Sequence, residues 1–263
     1  MLRSTIEFAE KYDVMVHGHL AENKSEYDFT MEQFGCSPVE WFRRNNLLGD
    51  RFYYAHCIHL DEQDIKVLAE TGTGVVSCPI SNMYLSSGSC QVRNIMDAGV
   101  ERIGLGVDGA ASSNSSNMME EMRVAYLLNR LTHEENACTS ENILYMATAG
   151  GAKALGRNDI GTLVPGKAAD LTLLDWSSLS YAGGRNDPAD CLVPSGDARM
   201  VDTVIVNGEI VVKKGRLLRI DEWQKSAYAD EISHELLQRA SKHFLALQEE
   251  IISSVQESTG GAL

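Results

Sequence analysis

Val14-Met-Val-His-Gly-His19-Leu-Ala-Glu22 is the stretch on which the reading of this chain turns. It reads as a short apolar strand that ends on a histidine, with a carboxylate three residues further on. A neutral imidazole at a strand end can hold a divalent metal. A carboxylate just past that end can face the same pocket and move protons. A partly buried histidine beside an exposed glutamate fits these residues equally well. His17 lies two positions earlier on the same strand face, where packing is a simpler role than metal ligation.

Two later strand ends carry matching groups. Tyr54-Ala-His56-Cys-Ile-His59 brings a strand to its end at His56, with His59 in the loop beyond. Cys57 is read as packing, because apolar neighbours raise a thiol's pKa rather than lower it. Ile103-Gly-Leu-Gly-Val-Asp108-Gly109 sets a glycine-flanked aspartate directly after a buried type of strand. Such an aspartate can bind metal, accept a proton from water, or cap a turn. Gly104 and Gly106 lie inside the strand and lack a third glycine, so a phosphate-cradling loop is a poor reading. Ser81 and Asn82, in a loop over residues 80–88, offer hydrogen-bonding groups to a pocket.

Around these points the chain alternates. Helical spacing covers residues 2–12, with Ile6 and Ala9 on one face and Phe8 off it. Residues 23–49 are a polar connection with a helix at 38–45. Strands are expected at 52–57, 74–78 and 102–107. Asp61 is placed to cap a helix that Gly72 ends. Further helices are expected at 92–98, from Met118 onward, and over 141–155. Strand, helix, strand, helix is the pattern of parallel βαβ units. His19 and Asp108 are 89 positions apart over three units, close to the ~31 residues per unit of a (β/α)8 barrel. An open doubly wound sheet has a similar rhythm, so the spacing leaves closure undecided.

The character changes after Gly156. Residues 161–219 read as a small β module, with Asn207-Gly208 between two β-branched runs as a hairpin signal. Residues 175–199 show little periodicity. From 221 to 257 the chain is helical, with Tyr228, Ile232, Leu236, Ala240, Phe244, Leu247 and Ile251 on one stripe. The expected organisation is therefore 1–160 carrying the chemical motifs, 161–220 as β structure, and 221–263 as a helix and tail.

Composition narrows the function class. Of 263 residues, 44% are hydrophobic and the formal net charge is −14. The acidic balance argues against a nucleic-acid binder, which needs a basic face. The N-terminus has no signal-peptide core, and no apolar window reaches the ~18 residues a membrane span requires. Six scattered cysteines without a C-x-x-C pair suggest reduced thiols and a cytoplasmic protein.

Together, His19-Leu-Ala-Glu22, Ala55-His56-Cys-Ile-His-Leu, Cys78-Pro-Ile-Ser-Asn-Met-Tyr-Leu-Ser-Ser-Gly88 and Gly104-Leu-Gly-Val-Asp108-Gly-Ala-Ala-Ser resemble the amidohydrolase superfamily. The branch is that of aminohydrolases of aromatic N-heterocycles. Pro165-Gly-Lys-Ala-Ala-Asp170-Leu and Val204-Ile-Val-Asn-Gly208 look like its small β-sandwich. Phe34-Gly-Cys-Ser-Pro38, Thr71-Gly-Thr-Gly-Val and Asn186-Asp-Pro-Ala are similar to stretches of the 8-oxoguanine deaminases within that branch.

The resemblance implies an α/β fold: the C-terminal half of a (β/α)8 TIM-type barrel, strands 5–8, with part of the sandwich and a C-terminal helix. It implies a divalent metal, zinc with iron(II) as the alternative, held by His19 and Asp108. Glu22 becomes the proton shuttle, His56 the polarising histidine, Asp108 the base, and Ser81 and Asn82 substrate contacts. The implied reaction is hydrolytic deamination of a purine-like ring, 8-oxoguanine giving urate and ammonia. The alternatives are a triazine, guanine, pterin or adenosine-type substrate, or an inactive fragment that serves as a partner. The family's His-x-His ligand pair belongs to a first strand outside this sequence. The expected partners are thus a small heterocyclic substrate and either a second copy of the chain or a complementing N-terminal half, with no nucleic acid or membrane.

Overall fold

Four short apolar runs form a parallel sheet in the computed structural model, which describes residues 2–133 and 136–258. These are β1 (Val16–Leu20), β2 (Phe52–His56), β3 (Gly74–Ser77) and β4 (Ile103–Leu105), hydrogen-bonded in sequential order. The register sets Leu20 opposite His56, Ala55 opposite Val76 and Ser77 opposite Leu105. All four strands therefore end at one level. Alternation divides their side chains. Phe52, Tyr54, Val75 and Ile103 join the main hydrophobic core, while His17, His19, Tyr53, Ala55 and Val76 line an open groove.

Helices connect and cover the strands. In chain order they are α1 (Leu2–Tyr12), α2 (Lys24–Phe34), α3 (Pro38–Arg44), α4 (Glu62–Thr71), α5 (Pro79–Tyr84), α6 (Val92–Asp97), α7 (Ala110–Ser113), α8 (Met118–His133), α9 (Ser140–Tyr145) and α10 (Gly151–Ala154). On α1, Ala9 is buried and Phe8 exposed. Asp61 caps α4 in a reciprocal capping box with Asp64, and Gly72 ends it at φ 70°, a conformation that costs glycine little. Its Ile65, Val67 and Leu68 enter the core. A π-turn over Met146–Gly150 joins α9 to α10. This run lies so close to β4 that a Cβ on Gly150 would stand 2.2 Å from the Ile103 carbonyl. At the other end of the sheet the Arg102 guanidinium donates to the carbonyls of Asp50, Gly72, Lys153 and Ala154.

The structure corrects four sequence expectations. Residues 24–34, read as connection, are α2, capped by the Asn23 side chain. The loop read at 80–88 begins as α5, because Pro79 starts a helix at its first turn rather than merely stopping a strand. The strand read at 102–107 shortens to Ile103–Leu105. The aperiodic stretch 175–199 contains α11 (Pro188–Ser195), which docks on α8 and α9 with Val193 fully buried. Two prolines, at positions 188 and 194, made that helix read as broken chain.

The second sheet is antiparallel: β5 (Leu171–Leu174), β6 (Val201–Val206), β7 (Glu209–Lys213) and β8 (Arg216–Leu217). Asn207 and Gly208 turn the β6–β7 hairpin with φ of 48° and 81°, the pair of positive angles that a tight hairpin of this hand requires. Last comes α12 (Glu222–Ser258). Its stripe is exposed, Tyr228 at 58% and Phe244 at 66%; the side chains of Leu247 and Ile251 lie outside the described residues. The cysteines are free, with five buried and Cys191 half-buried. No helix among the described residues is long and apolar enough to cross a membrane.

Candidate metal centre

At or past the ends of three of the four strands, the backbone takes unusual angles. Ala21, His56, Cys57 and Asp108 all have positive φ, at 51°, 74°, 48° and 59°. Residues other than glycine rarely adopt this region, and such angles gather at functional sites. Here they turn the chain sharply after β1, β2 and β4. The β1 exit is braced by Glu26, whose carboxylate accepts from the Ala21 and Glu22 amides, each at 3.0 Å.

These turns bring His19, His56 and Asp108 together. One ligand atom from each lies within 4.8 Å of the others. The register explains the first pair: His19 pairs with Ala55, beside His56, and the two rings stack at 5.3 Å and 20°. His56 is 1% exposed, with Nε2 3.8 Å from Glu22 Oε2 and 3.9 Å from Asp108 Oδ2. Those separations exceed hydrogen-bond length, so Nε2 faces two carboxylates across a gap. Two imidazoles and a carboxylate make a donor set that suits a zinc-class ion. The residues present thus fit a divalent metal by donor chemistry and convergence.

The cluster is held from behind by α5. Ser81 Oγ donates to Asp108 Oδ2 at 2.5 Å, and Ser112 Oγ donates to the same oxygen at 3.0 Å. Burial pushes the Asp108 carboxyl up, but the bonds from Ser81, the Gly109 amide and Ser112, with the His56 charge, outweigh it and hold the group below the usual aspartate range. Asn82 Oδ1 sits 2.7 Å from His56 Nδ1. Ser81 and Asn82 are themselves buried, at 0% and 1% exposed, and their side chains meet site residues rather than the open groove. Glu121, fully buried on α8, accepts from the Ile80 amide at 3.2 Å through Oε2. Burial pushes its carboxyl up to about 7, the Ile80 bond opposing and the Glu120 and Asp108 charges assisting.

Two histidines stay outside the cluster. His17 stacks on Tyr53 at 4.6 Å, with its ring 5.9 Å from that of His19. His59 meets the Ser87 carbonyl at 3.0 Å and ties down the loop after α5. Burial pushes Cys78, beside the site, up to about 12, which leaves it a poor nucleophile at neutral pH. In front of the cluster a groove of about 1090 Å³ runs past His19, Asp108, Cys78, Met118 and Met122 toward β5 and β6.

Three supporting residues escaped the sequence reading. Glu26 carried a signal in Asn23-x-x-Glu26, the spacing of a capping box. Ser112 lay in a Ser/Asn-rich loop with nothing to single it out. Glu121 follows Glu120 and reads as an ordinary solvated charge at a helix start.

The amidohydrolase family profile matches residues 1–211. A 5-methylthioadenosine/S-adenosylhomocysteine deaminase of Desulforudis audaxviator is 40% identical over 239 residues, which are 90% of this chain and 55% of that protein. An 8-oxoguanine deaminase of Pseudomonas aeruginosa is 42% identical over 221 residues, 84% of this chain and 49% of that protein. The crystal structure of an adenosine deaminase from Xanthomonas campestris with bound zinc superposes with a TM-score of 0.85 at 31% identity, covering 88% of this chain and 53% of that one. The chain spans about half the length of the curated relatives it matches. With a profile match over most of its length and its strand-end histidines and aspartate gathered at one point, this chain belongs to the amidohydrolase family.

Proposed function

We propose that the chain carries the metal-binding and proton-transfer half of a hydrolytic deaminase for an amino-substituted purine-like ring. The observation that carries this reading is the convergence of His19, His56 and Asp108 within 4.8 Å, with Glu22 3.8 Å from His56. On this reading β1 to β4 correspond to strands five to eight of a (β/α)8 barrel. The remaining strands of such a barrel, with the family's His-x-His pair, lie outside residues 1–263.

His19 and Asp108, with His56 beside them, would hold a zinc-class ion. When bound, such an ion supplies Lewis acidity that brings the pKa of a coordinated water down to ~7. Asp108 is held ionised by its hydroxyl donors and accepts the proton that the attacking water releases. Glu22 delivers a proton to a ring nitrogen, which makes the amine-bearing carbon electrophilic. His56 Nε2 orients and polarises the oxygen that becomes the product carbonyl. Water adds its oxygen to carbon, the carbon–nitrogen bond breaks, and the nitrogen leaves as ammonia after the final proton transfer. On 8-oxoguanine the product is urate.

A second substrate reading has its own support. Relatives named for methylthioadenosine and for 8-oxoguanine match at 40% and 42% identity, so an adenosine-type ring is the alternative. Ammonia release from 8-oxoguanine and from 5-methylthioadenosine, with zinc added and a candidate complementing half supplied, tests both. Turnover of one substrate that disappears in Asp108→Asn is the expected result. Turnover unaffected by Asp108→Asn would overturn the proton-transfer roles.

A further inference from the structure

The terminal helix α12 runs for 37 residues, about 55 Å at 1.5 Å per residue, and every residue from Trp223 to Phe244 is exposed. Tyr228, Ile232, Leu236 and Phe244 lie along one stripe at 58%, 37%, 57% and 66% exposure, with Ala240 between the last two. A helix draws most of its stability from the packing of such a face, and a contiguous apolar patch left in water marks a contact surface. The steps along the stripe are of four residues. Such a row is the i±4 ridge of a helix, which packs into the matching groove of a second helix at a crossing angle of about 50°. The small side chain of Ala240 lets the two backbones approach.

The charges beside the stripe identify the second helix. Glu231, Glu235, Arg239 and Lys242 follow one another along a single flank, acidic in its first half and basic in its second. Within one helix Arg239 Nη2 meets Glu235 Oε2 at 3.2 Å, and both side chains stay largely exposed. We propose that α12 pairs antiparallel with the α12 of a second copy of this chain, about a two-fold axis near Leu237. Two-fold symmetry makes one surface meet itself and so requires it to be self-complementary. An antiparallel pair brings the same flank of each helix together, reversed end for end. Glu235 then faces the second copy's Arg239, and Glu231 its Lys242, each pair occurring twice, while Leu236 and Ala240 of both copies meet nearest the axis. A parallel pair would set this flank against the opposite one, which carries Asp230 at the level of Glu231, like charge against like. The apolar ridge supplies the affinity, and the exposed charges set the orientation.

Sedimentation equilibrium on the whole chain reads the association directly, with neither metal nor substrate. The wild type should be a dimer at micromolar concentration. Leu236→Glu sets two carboxylates near the axis and should be monomeric. Leu236 is 57% exposed, so the rest of the fold does not depend on it. Two charge variants then test the flank and the orientation. Glu235→Arg alone and Arg239→Glu alone each oppose like charges in their own dimers. Each should dimerise at least about tenfold more weakly than wild type, the effect of losing two exposed ion pairs. Mixed in equal amounts, the two variants are complementary and should form a heterodimer of wild-type affinity. Both variants lack the Glu235–Arg239 pair within one helix, and mixing does not restore it, so helix stability alone cannot produce that recovery. A monomeric wild type would mean that some other polypeptide covers the stripe, and it would overturn the proposal. So would a Leu236→Glu dimer as tight as wild type, or a mixture no tighter than its separate components.

Discussion

Ser81 Oγ and Asp108 Oδ2 stand 2.5 Å apart, with the hydroxyl donating, and Ser112 Oγ donates to the same oxygen at 3.0 Å. Two donors on one oxygen fix the rotation of the carboxylate as well as its charge. They present the group in one pose to whatever occupies the gap beside His56.

Ser81→Ala should therefore lower zinc affinity by about tenfold and unfolding stability by about 1 kcal/mol. Ser112→Ala, which removes the longer bond from a less enclosed hydroxyl, should do less. Chelator competition and urea melts on both variants check this. Equal losses would mean that bond length and burial do not rank the two donors.

Glu121 makes a signed pH prediction. Its carboxyl is raised from 4.5 to about 7 by burial, so the native state holds its proton more tightly than the unfolded chain does. This contribution to stability is fully present below pH 4.5 and is lost as pH rises through about 7. In Glu121→Gln the acceptor for the Ile80 amide remains but the titration is gone. The variant should be more stable than wild type at pH 8, by on the order of a few kcal/mol, and should match it near pH 4.5. Urea midpoints at the two pH values give the answer.

Gly150 permits the contact between the π-turn and β4. In Gly150→Ala the new Cβ would lie 2.2 Å from the Ile103 carbonyl and 2.8 Å from a Tyr145 ring carbon, and backbone cannot yield cheaply. The expected loss is about 3 kcal/mol or more. It should be accompanied by weaker zinc binding, because β4 carries Asp108 to the site. A variant as stable as wild type would show that the two segments can part.

Zinc should stabilise the folded chain by mass action, by about 2.7 kcal/mol at a hundredfold excess over its dissociation constant. A chelator should reverse the gain. Asp108→Asn should abolish it and should also lower metal-free stability at neutral pH, because the fold stabilises the ionised Asp108 carboxylate through its donors. Thermal melts with zinc, with chelator and with neither distinguish these outcomes.

The site was legible in sequence at the points where chemistry coincides with a strand end. His19, Glu22, His56 and Asp108 each follow an apolar run, and a parallel sheet whose strands end at one level gathers them. The Asp61–Gly72 helix and the Asn207-Gly208 turn were legible for a different reason: each is specified by one local hydrogen-bonding or backbone requirement. What escaped was support that is local in space but not in sequence. Pro79–Tyr84 is shorter than two turns, so it shows no periodicity, and its placement depends on residues far along the chain: Asp108, 27 positions beyond Ser81, and Glu121, 41 beyond Ile80. Glu121 looks like any first-turn glutamate until the fold closes over it. The Pro188–Ser195 helix is held by contacts with α8 and α9, about 60 and 50 residues upstream, which no local pattern announces.

The positive φ angles at Ala21, His56, Cys57 and Asp108 bear on how such a sequence ages. Each opposes the local preference of its own residue, by roughly 1–3 kcal/mol in unfavourable cases, whereas the capped helices and the Asn-Gly turn agree with theirs. In a population screened for heat tolerance alone, glycine should accumulate at these four positions while Asp61, Gly72 and Gly208 persist. The residues that make the chain chemically interesting would then be the first to drift. Their presence in a given lineage would be a record of selection for catalysis rather than for folding.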